Sequence, residues 1–142
     1  MSKNISTFFA GLLCVAFLTA GCSAPPPPLP SENVTSDALL EECPELLRLT
    51  ENALGKDGEI VGQTMSFFRE RRASFHSLDD FIDEIRIKEG LNGVEQEELQ
   101  RLSLGIFSIE MFVRGTPVNP ELPDIGAYWI DAGVEYVRMW CP

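Results

Sequence analysis

Histidine and basic residues are the two scarce classes in this chain of 142 residues. There is one histidine, His76, and there are 11 Lys and Arg against 22 Asp and Glu, so the formal net charge is −11. A single histidine argues against a metal cage built from imidazoles. The deficit of cations argues against binding along a phosphate backbone, which requires clustered Lys and Arg. We therefore expect no nucleic-acid partner.

Motifs for catalysis and for cofactors are also missing. The chain has no G-x-S-x-G nucleophile motif, and its 11 glycines are scattered instead of forming a phosphate-binding loop. His76 falls just before a predicted helix start, so a boundary or surface position is the simplest interpretation. We expect no catalytic residue, no metal and no cofactor.

An acidic cluster is the one candidate for a cation site or for acid–base chemistry. Its four carboxylates pair at i,i+4 spacing, and they are Asp79, Asp80, Asp83 and Glu84. They fall opposite the apolar stripe of the same predicted helix, and Lys88 follows Glu84 by one turn. A solvated helix face is therefore the favoured interpretation, and cation binding by the cluster stays open.

The first 21 residues have the layout of an export signal. Lys3 is followed by an almost wholly apolar stretch from Ile5 to Ala20. A transmembrane helix needs about 20 apolar residues, so this stretch is short for a membrane span and typical of a signal peptide. Removal of residues 1–21 takes away Lys3 and no acidic residue, which leaves a net charge of −12.

The end of this segment, Leu18-Thr19-Ala20-Gly21-Cys22, resembles the lipobox of bacterial lipoproteins. The resemblance implies cleavage after Gly21 and acylation of Cys22 on its sulfur and on its new amine, palmitate being a typical acyl group. Several acyl chains hold a protein stably on a membrane. Ser23 in the next position implies the outer membrane, facing the periplasm, in a Gram-negative cell; otherwise the outer face of the cell membrane is implied.

Residues 22–35 read as a tether. The proline run from Pro25 to Pro28, with Pro30 after it, favours a stiff polyproline II rod that spans about 20 Å. A spacer between the lipid and the domain is the favoured interpretation. The alternative is a docking ligand for an aromatic groove.

Residues 36–142 predict an all-α domain, a compact bundle of four to five antiparallel helices. Ser36 or Asp37 caps the first helix and Gly55 stops it, with Pro44 either in its first turn or at a break. The other predicted helices cover 59–74, a segment from Ser77 to Gly90, 94–114, and a segment from Asp124 to about Trp140. Ser77 and Asp80 form a pair that resembles a capping box. Alternation with period two is absent, so strands are not expected.

Two cysteines remain in the domain, Cys43 and Cys141, near its two ends. An exported domain lies in an oxidising compartment, so a disulfide between them is expected. A metal site or a redox pair is the alternative, but no CxxC spacing and no nearby histidine favour either.

Aromatic residues are the candidates for a partner surface. Tyr128 and Trp129 lie on the last predicted helix, and Phe67 and Phe68 are adjacent on the second. Neighbouring positions on a helix point about 100° apart, so one Phe can miss the core. Tyr and Trp are favoured as interface anchors, although core packing explains most aromatic stripes.

Taken together, the sequence predicts a non-catalytic binding or accessory module of the cell envelope, held to the membrane by its lipid and bound to an envelope protein. The architecture is similar to that of pilotins and of immunity or exclusion lipoproteins, and no family is identified for the domain itself. The alternatives are an envelope enzyme or small-ligand carrier with a pocket around His76 and the acidic cluster, or a purely structural lipoprotein.

Overall fold

A computed structural model describes residues 34–56, 58–116 and 119–142. The signal peptide, Cys22 and residues 22–33 of the tether lie outside the described residues. Within the described ranges there are five helices and no strand: α1 (Asp37–Leu54), α2 (Met65–Glu70), α3 (Arg72–Arg86), α4 (Gly93–Val113) and α5 (Leu122–Trp140). None of these helices is both long and apolar enough to cross a membrane. The predicted all-α bundle is confirmed.

Helix α1 begins and ends where the sequence predicts but passes through its proline. The Ser36 hydroxyl accepts a hydrogen bond from Leu39 N (3.2 Å), and Gly55 closes the helix with φ +89°. Both interpretations of Pro44 were wrong, because the helix continues unbroken around it. Pro44 and Leu40 are both exposed, so the carbonyl that lacks a proline N–H partner lies on the solvent side of the helix.

The helix predicted over residues 59–74 was wrong in its first half. Residues 58–64 form a loop, because the Asp131 carboxylate of α5 accepts hydrogen bonds from Ile60 N (2.7 Å) and Val61 N (2.8 Å). Ile60 is buried in the core, and Gly62 adopts φ +88°. Asp131 of α5 thus accepts the backbone N–H groups that would otherwise form hydrogen bonds within a helix.

The start of the third predicted helix was wrong as well. Helix α3 begins at Arg72 and is separated from the short α2 by one residue, Arg71. Ser77 lies inside α3, and its hydroxyl donates a hydrogen bond to the carbonyl of Ala73 (3.0 Å). The helix begins this early because Phe75 and Leu78 both point into the core one turn apart. Ser77 and Asp80 are therefore no capping pair.

The predicted disulfide is confirmed. Cys43 of α1 is bonded to Cys141, which follows α5, with a Cα–Cα distance of 5.2 Å and a sequence separation of 98 residues. Both cysteines are buried with Trp140 in the main hydrophobic core. The bond joins the first helix to the end of the last.

Helices α4 and α5 approach each other closely through three glycines. A Cβ atom placed on Gly105 would lie 2.8 Å from the carbonyl oxygen of Gly126 and 2.8 Å from Ile130 Cγ1. A Cβ atom on Gly133 would lie 2.7 Å from Leu102 Cβ. The pairing of 102 with 133 and of 105 with 126 shows that the two helices run antiparallel.

A buried carboxylate joins the starts of α1 and α4. Glu95 is fully buried, forms a capping box with Asn92, and accepts hydrogen bonds from Ser36 N and Ser36 Oγ (both 2.7 Å). Ser36 thus caps α1 while Glu95 holds it against α4. The folded domain therefore begins beside the N-terminal end of α4.

Gly105→Ala should lower the free energy of unfolding by about 1–3 kcal/mol, because the added methyl group overpacks a contact with rigid backbone. Gly93→Ala is the matched control, since it lies on the same helix and a Cβ there meets nothing within 4 Å. Urea denaturation of both variants measures the difference. Equal stability of the two would show that the α4–α5 contact is not as tight as described.

Candidate functional site

An apolar stripe on α4 remains exposed to solvent. Leu104, Phe107 and Met111 follow at i, i+3 and i+7 and therefore share one face of the helix. Phe107 is 56% exposed, Leu104 is 45% exposed and Met111 is half-buried. We call these three residues the α4 stripe. A soluble helix ordinarily places polar residues on its solvent face, so the α4 stripe is a candidate contact surface.

A cavity of about 140 Å³ opens beside the α4 stripe, between the C-terminal half of α4 and the α2–α3 pair. Phe107 and Met111 form part of its wall. Its remaining apolar lining consists of Phe68, Phe75, Ile106, Ile109, Val113 and Ile130. Its polar lining consists of Arg72, His76, Asp79, Glu110 and Arg114. The site is thus mainly apolar with a charged edge, the usual build of a ligand pocket.

Glu110 organises the charged edge. Its carboxylate accepts hydrogen bonds from Arg72, through Nε (3.1 Å) and Nη2, and from Arg114 Nε, and His76 Nε2 lies 3.5 Å away. Burial by itself raises the pKa of Glu110, but the hydrogen bonds and charges of Arg72 and Arg114 outweigh it and lower that pKa below its usual value. The edge therefore carries two guanidinium groups around one ionised carboxylate.

Asp79 is the second polar group of note in the cavity wall. It was expected on a solvated face, and this was wrong, because Asp79 is half-buried against α4. Burial raises the pKa of its carboxyl, a hydrogen bond with Ser103 lowers it, and the neighbouring Asp83 and Asp80 raise it further, with a net upward shift. Its buried Oδ1 atom has no hydrogen-bond partner within the described ranges.

The rest of the acidic cluster does lie on the solvent side. Asp80, Asp83 and Glu84 are exposed, and Asp83 pairs with Arg86 (3.5 Å). In the part of the chain that the structure describes, no group of three or more His, Cys, Asp or Glu side chains is placed to hold a metal ion. The helix separates the cluster into one inward carboxyl and three outward ones.

Trp129 lies on the other side of the α4 stripe. It is half-buried and lines a shallow groove with Leu104, Gln100, Arg101 and Glu97. The neighbouring Tyr128 is 66% exposed and lines neither the groove nor the cavity. Of the two aromatic candidates on α5, only Trp129 is thus brought next to the α4 stripe.

The two adjacent phenylalanines have different environments. Phe68 belongs to the core and forms part of the cavity lining, so it is not exposed to a partner on the surface. Phe67 is half-buried, packs edge-on against Phe68 with ring centroids 5.6 Å apart, and has the Arg71 guanidinium 4.7 Å from its ring centroid. Its free face is therefore already covered by a cation.

The arrangement favours binding over proton transfer. Both oxygens of Glu110 are engaged by arginine donors. Sequence reasoning proposed a pocket around His76 and the acidic cluster, but it missed Glu110, Arg114 and Phe107. The spacing of Leu104, Phe107 and Met111 was the sequence signal for this exposed surface. Ile106 and Ile109 already supply the core-facing side of α4, so an apolar residue at position 107 falls on a second apolar face of the helix.

Asp79→Asn should become progressively more stabilising, relative to the native chain, as pH rises. The pKa of Asp79 in the folded state is raised above the ordinary Asp value of about 3.9. Ionisation of the half-buried carboxyl therefore destabilises the folded state as pH rises above that value, and the amide of Asn removes this effect. Urea denaturation from pH 4 to pH 8 measures it. The exposed Asp80→Asn controls for loss of one charge, and a pH-independent difference for Asp79→Asn would contradict the assignment.

Comparison with protein-family models, with curated proteins and with solved structures gave no match. The features of the domain that bear on function are therefore the cavity, the α4 stripe and the groove beside Trp129.

Proposed function

We propose that the chain is a membrane-anchored bacterial lipoprotein whose small acidic domain binds a partner protein of the cell envelope and has no catalytic role. The observation that carries the proposal is the α4 stripe, which lies exposed between an apolar cavity and the groove at Trp129. Exposed apolar side chains next to concave surfaces are typical of protein contact sites.

The start of the folded domain and the charged edge of the cavity lie at opposite ends of α4. Ser36, which precedes α1, bonds to Glu95 near the beginning of α4, whereas the charged edge of the cavity is at Glu110. Fifteen helical residues at 1.5 Å each separate these positions by roughly 22 Å. A lipid on Cys22 would be connected to the domain through Ser36, which lies at the end of α4 away from the charged edge of the cavity.

The charge of the domain supports an anchor of this kind. A net charge of −12 after processing repels anionic headgroups, so the protein surface itself does not hold the domain at a membrane. A lipid at Cys22 would supply that attachment. By resemblance, Ser23 favours the outer membrane facing the periplasm in a Gram-negative cell, and otherwise the location is the outer face of the cell membrane.

A small-ligand carrier is the second candidate, and the cavity favours it. A volume of about 140 Å³ with an apolar lining and a few convergent polar groups suits a ligand with a single ring. Such a ligand would leave Leu104 and Trp129 uncovered, however. A protein partner could cover the cavity, the α4 stripe and the groove at Trp129 together, so the partner-binding proposal is preferred.

A photo-crosslinking residue in place of Phe107 should yield one discrete adduct with an envelope protein in the native host. The matched control is position 112, a phenylalanine on the same helix that is 36% exposed and lines neither the cavity nor the groove. Immunoblotting and mass spectrometry of the adduct identify the partner. Adducts at both positions, or at neither, would count against a specific contact at the α4 stripe.

The anchor has its own test. Cells given an alkyne-bearing palmitate should label the native chain, and Cys22→Ala should lose the label and accumulate as a precursor that retains residues 1–21. Click detection on a gel measures both effects. Label that persists in Cys22→Ala would remove the lipoprotein assignment but leave the contact surface in place.

A further inference from the structure

We propose that the cavity beside Phe107 binds one apolar anchor side chain from an amphipathic helix of the partner, and that Arg72 and Arg114 pair with a carboxylate which this helix carries one turn from the anchor. The inference rests on the proposed function and specifies the chemistry of the partner segment. Three observations carry it: the size of the cavity, the free donors at its edge and the length of the α4 stripe.

The cavity has room for one side chain. A closed apolar cavity of about 150 Å³ holds one benzene ring, and this cavity measures about 140 Å³. Its deep lining includes Phe75, Ile109 and Ile130, each at most 5% exposed. A Phe or Leu side chain of the partner would thus be removed from water on nearly all sides, as interface anchors are.

The edge of the cavity is built to receive an anion. A guanidinium has five N–H donors, and the bonds to Glu110 use only Nε and Nη2 of Arg72 and Nε of Arg114. Both side chains are about half exposed, at 46% and 54%. Several donors on each arginine therefore remain available to a second carboxylate, which guanidinium groups bind in bidentate fashion.

The local charge contrasts with that of the whole domain. Four of the ten basic residues of the processed chain lie on α2, at its junction with α3, and at the end of α4: Arg69, Arg71, Arg72 and Arg114. The net charge of the domain repels acidic proteins in general, but Arg72 and Arg114 offer an acidic segment direct pairing at the edge of the cavity.

The α4 stripe favours a helix as the occupant instead of a free small molecule. From Leu104 to Met111 the stripe extends over roughly 10 Å, or two helical turns. A ring that fills the cavity leaves this surface in water. A helix laid along the stripe covers it with residues at i, i+3 and i+7 and places its anchor in the cavity.

The test uses the full chain and three fluorescein-labelled amphipathic peptides of four helical turns. The first carries one central Phe with Glu one turn before and one turn after it; the second has Lys in place of both Glu; the third has Ala in place of the Phe. Fluorescence anisotropy at low salt measures their dissociation constants. The Glu peptide should bind about tenfold more tightly than either of the others.

Variants of the edge separate charge recognition from a general loss of structure. Glu110→Gln removes the competing carboxylate and should tighten binding of the Glu peptide several-fold while weakening the Lys peptide, a gain that misfolding cannot produce. Arg72→Gln combined with Arg114→Gln should abolish the preference for Glu over Lys. Arg48→Gln is the control, since Arg48 is 58% exposed and is paired with Glu45 on α1, a helix that contributes no residue to the cavity lining.

Each other outcome overturns the inference in a recognisable way. Equal binding of the Glu and Lys peptides would remove the role of Arg72 and Arg114. Equal binding of the Phe and Ala peptides would remove the anchor. Tighter binding of 3-phenylpropionate than of the Glu peptide would identify a small-ligand site. If no peptide binds while position 107 still crosslinks to an envelope protein, this inference fails and the proposed function stands.

Discussion

The close approach of α4 and α5 is the constraint on which the remaining structure depends. Gly105, Gly126 and Gly133 let the two backbones meet with no side chain between them, so that Leu102 and Ile130 pack directly on the opposite helix. Helix α5 packs on one side of α4, and helices α2 and α3 pack on another side. The face of α4 between these two sides has no helix of the described residues packed on it. The α4 stripe lies on this uncovered face, with the cavity on one side of it and the groove at Trp129 on the other.

The parts of the fold that could be predicted were those set by local chemistry. The Ser36 cap, the Gly55 stop and the bounds of α4 to within one residue follow from capping and periodicity. The disulfide follows from two cysteines in a domain that the sequence predicts to be exported. The errors arose where distant residues decide. Asp131 holds residues 60 and 61 out of a helix from a position about 70 residues away, and no local pattern encodes that bond.

The candidate site shows the same division. His76 was expected just before a helix start and lies inside α3 instead. The acidic cluster was expected on a solvated face, and Asp79 departs from that expectation because α3 packs against α4. Glu95 is instructive because its spacing from Asn92 was a readable capping box, whereas its bonds to Ser36 join positions 59 residues apart. Arg72 and Arg114 likewise meet at Glu110 only after the bundle has formed.

The same long-range contacts explain how a strongly acidic domain can present a site for an acidic segment. Glu110 is the only carboxylate that both arginines contact among the described residues, and its charge is more than balanced by theirs. Asp79 is the other carboxyl of the cavity lining, and burial raises its pKa above the usual Asp value. The negative charge of the domain therefore lies mostly elsewhere. In the proposed complex, the net charge of the domain would limit which proteins approach, and pairing with Arg72 and Arg114 would decide which of those bind.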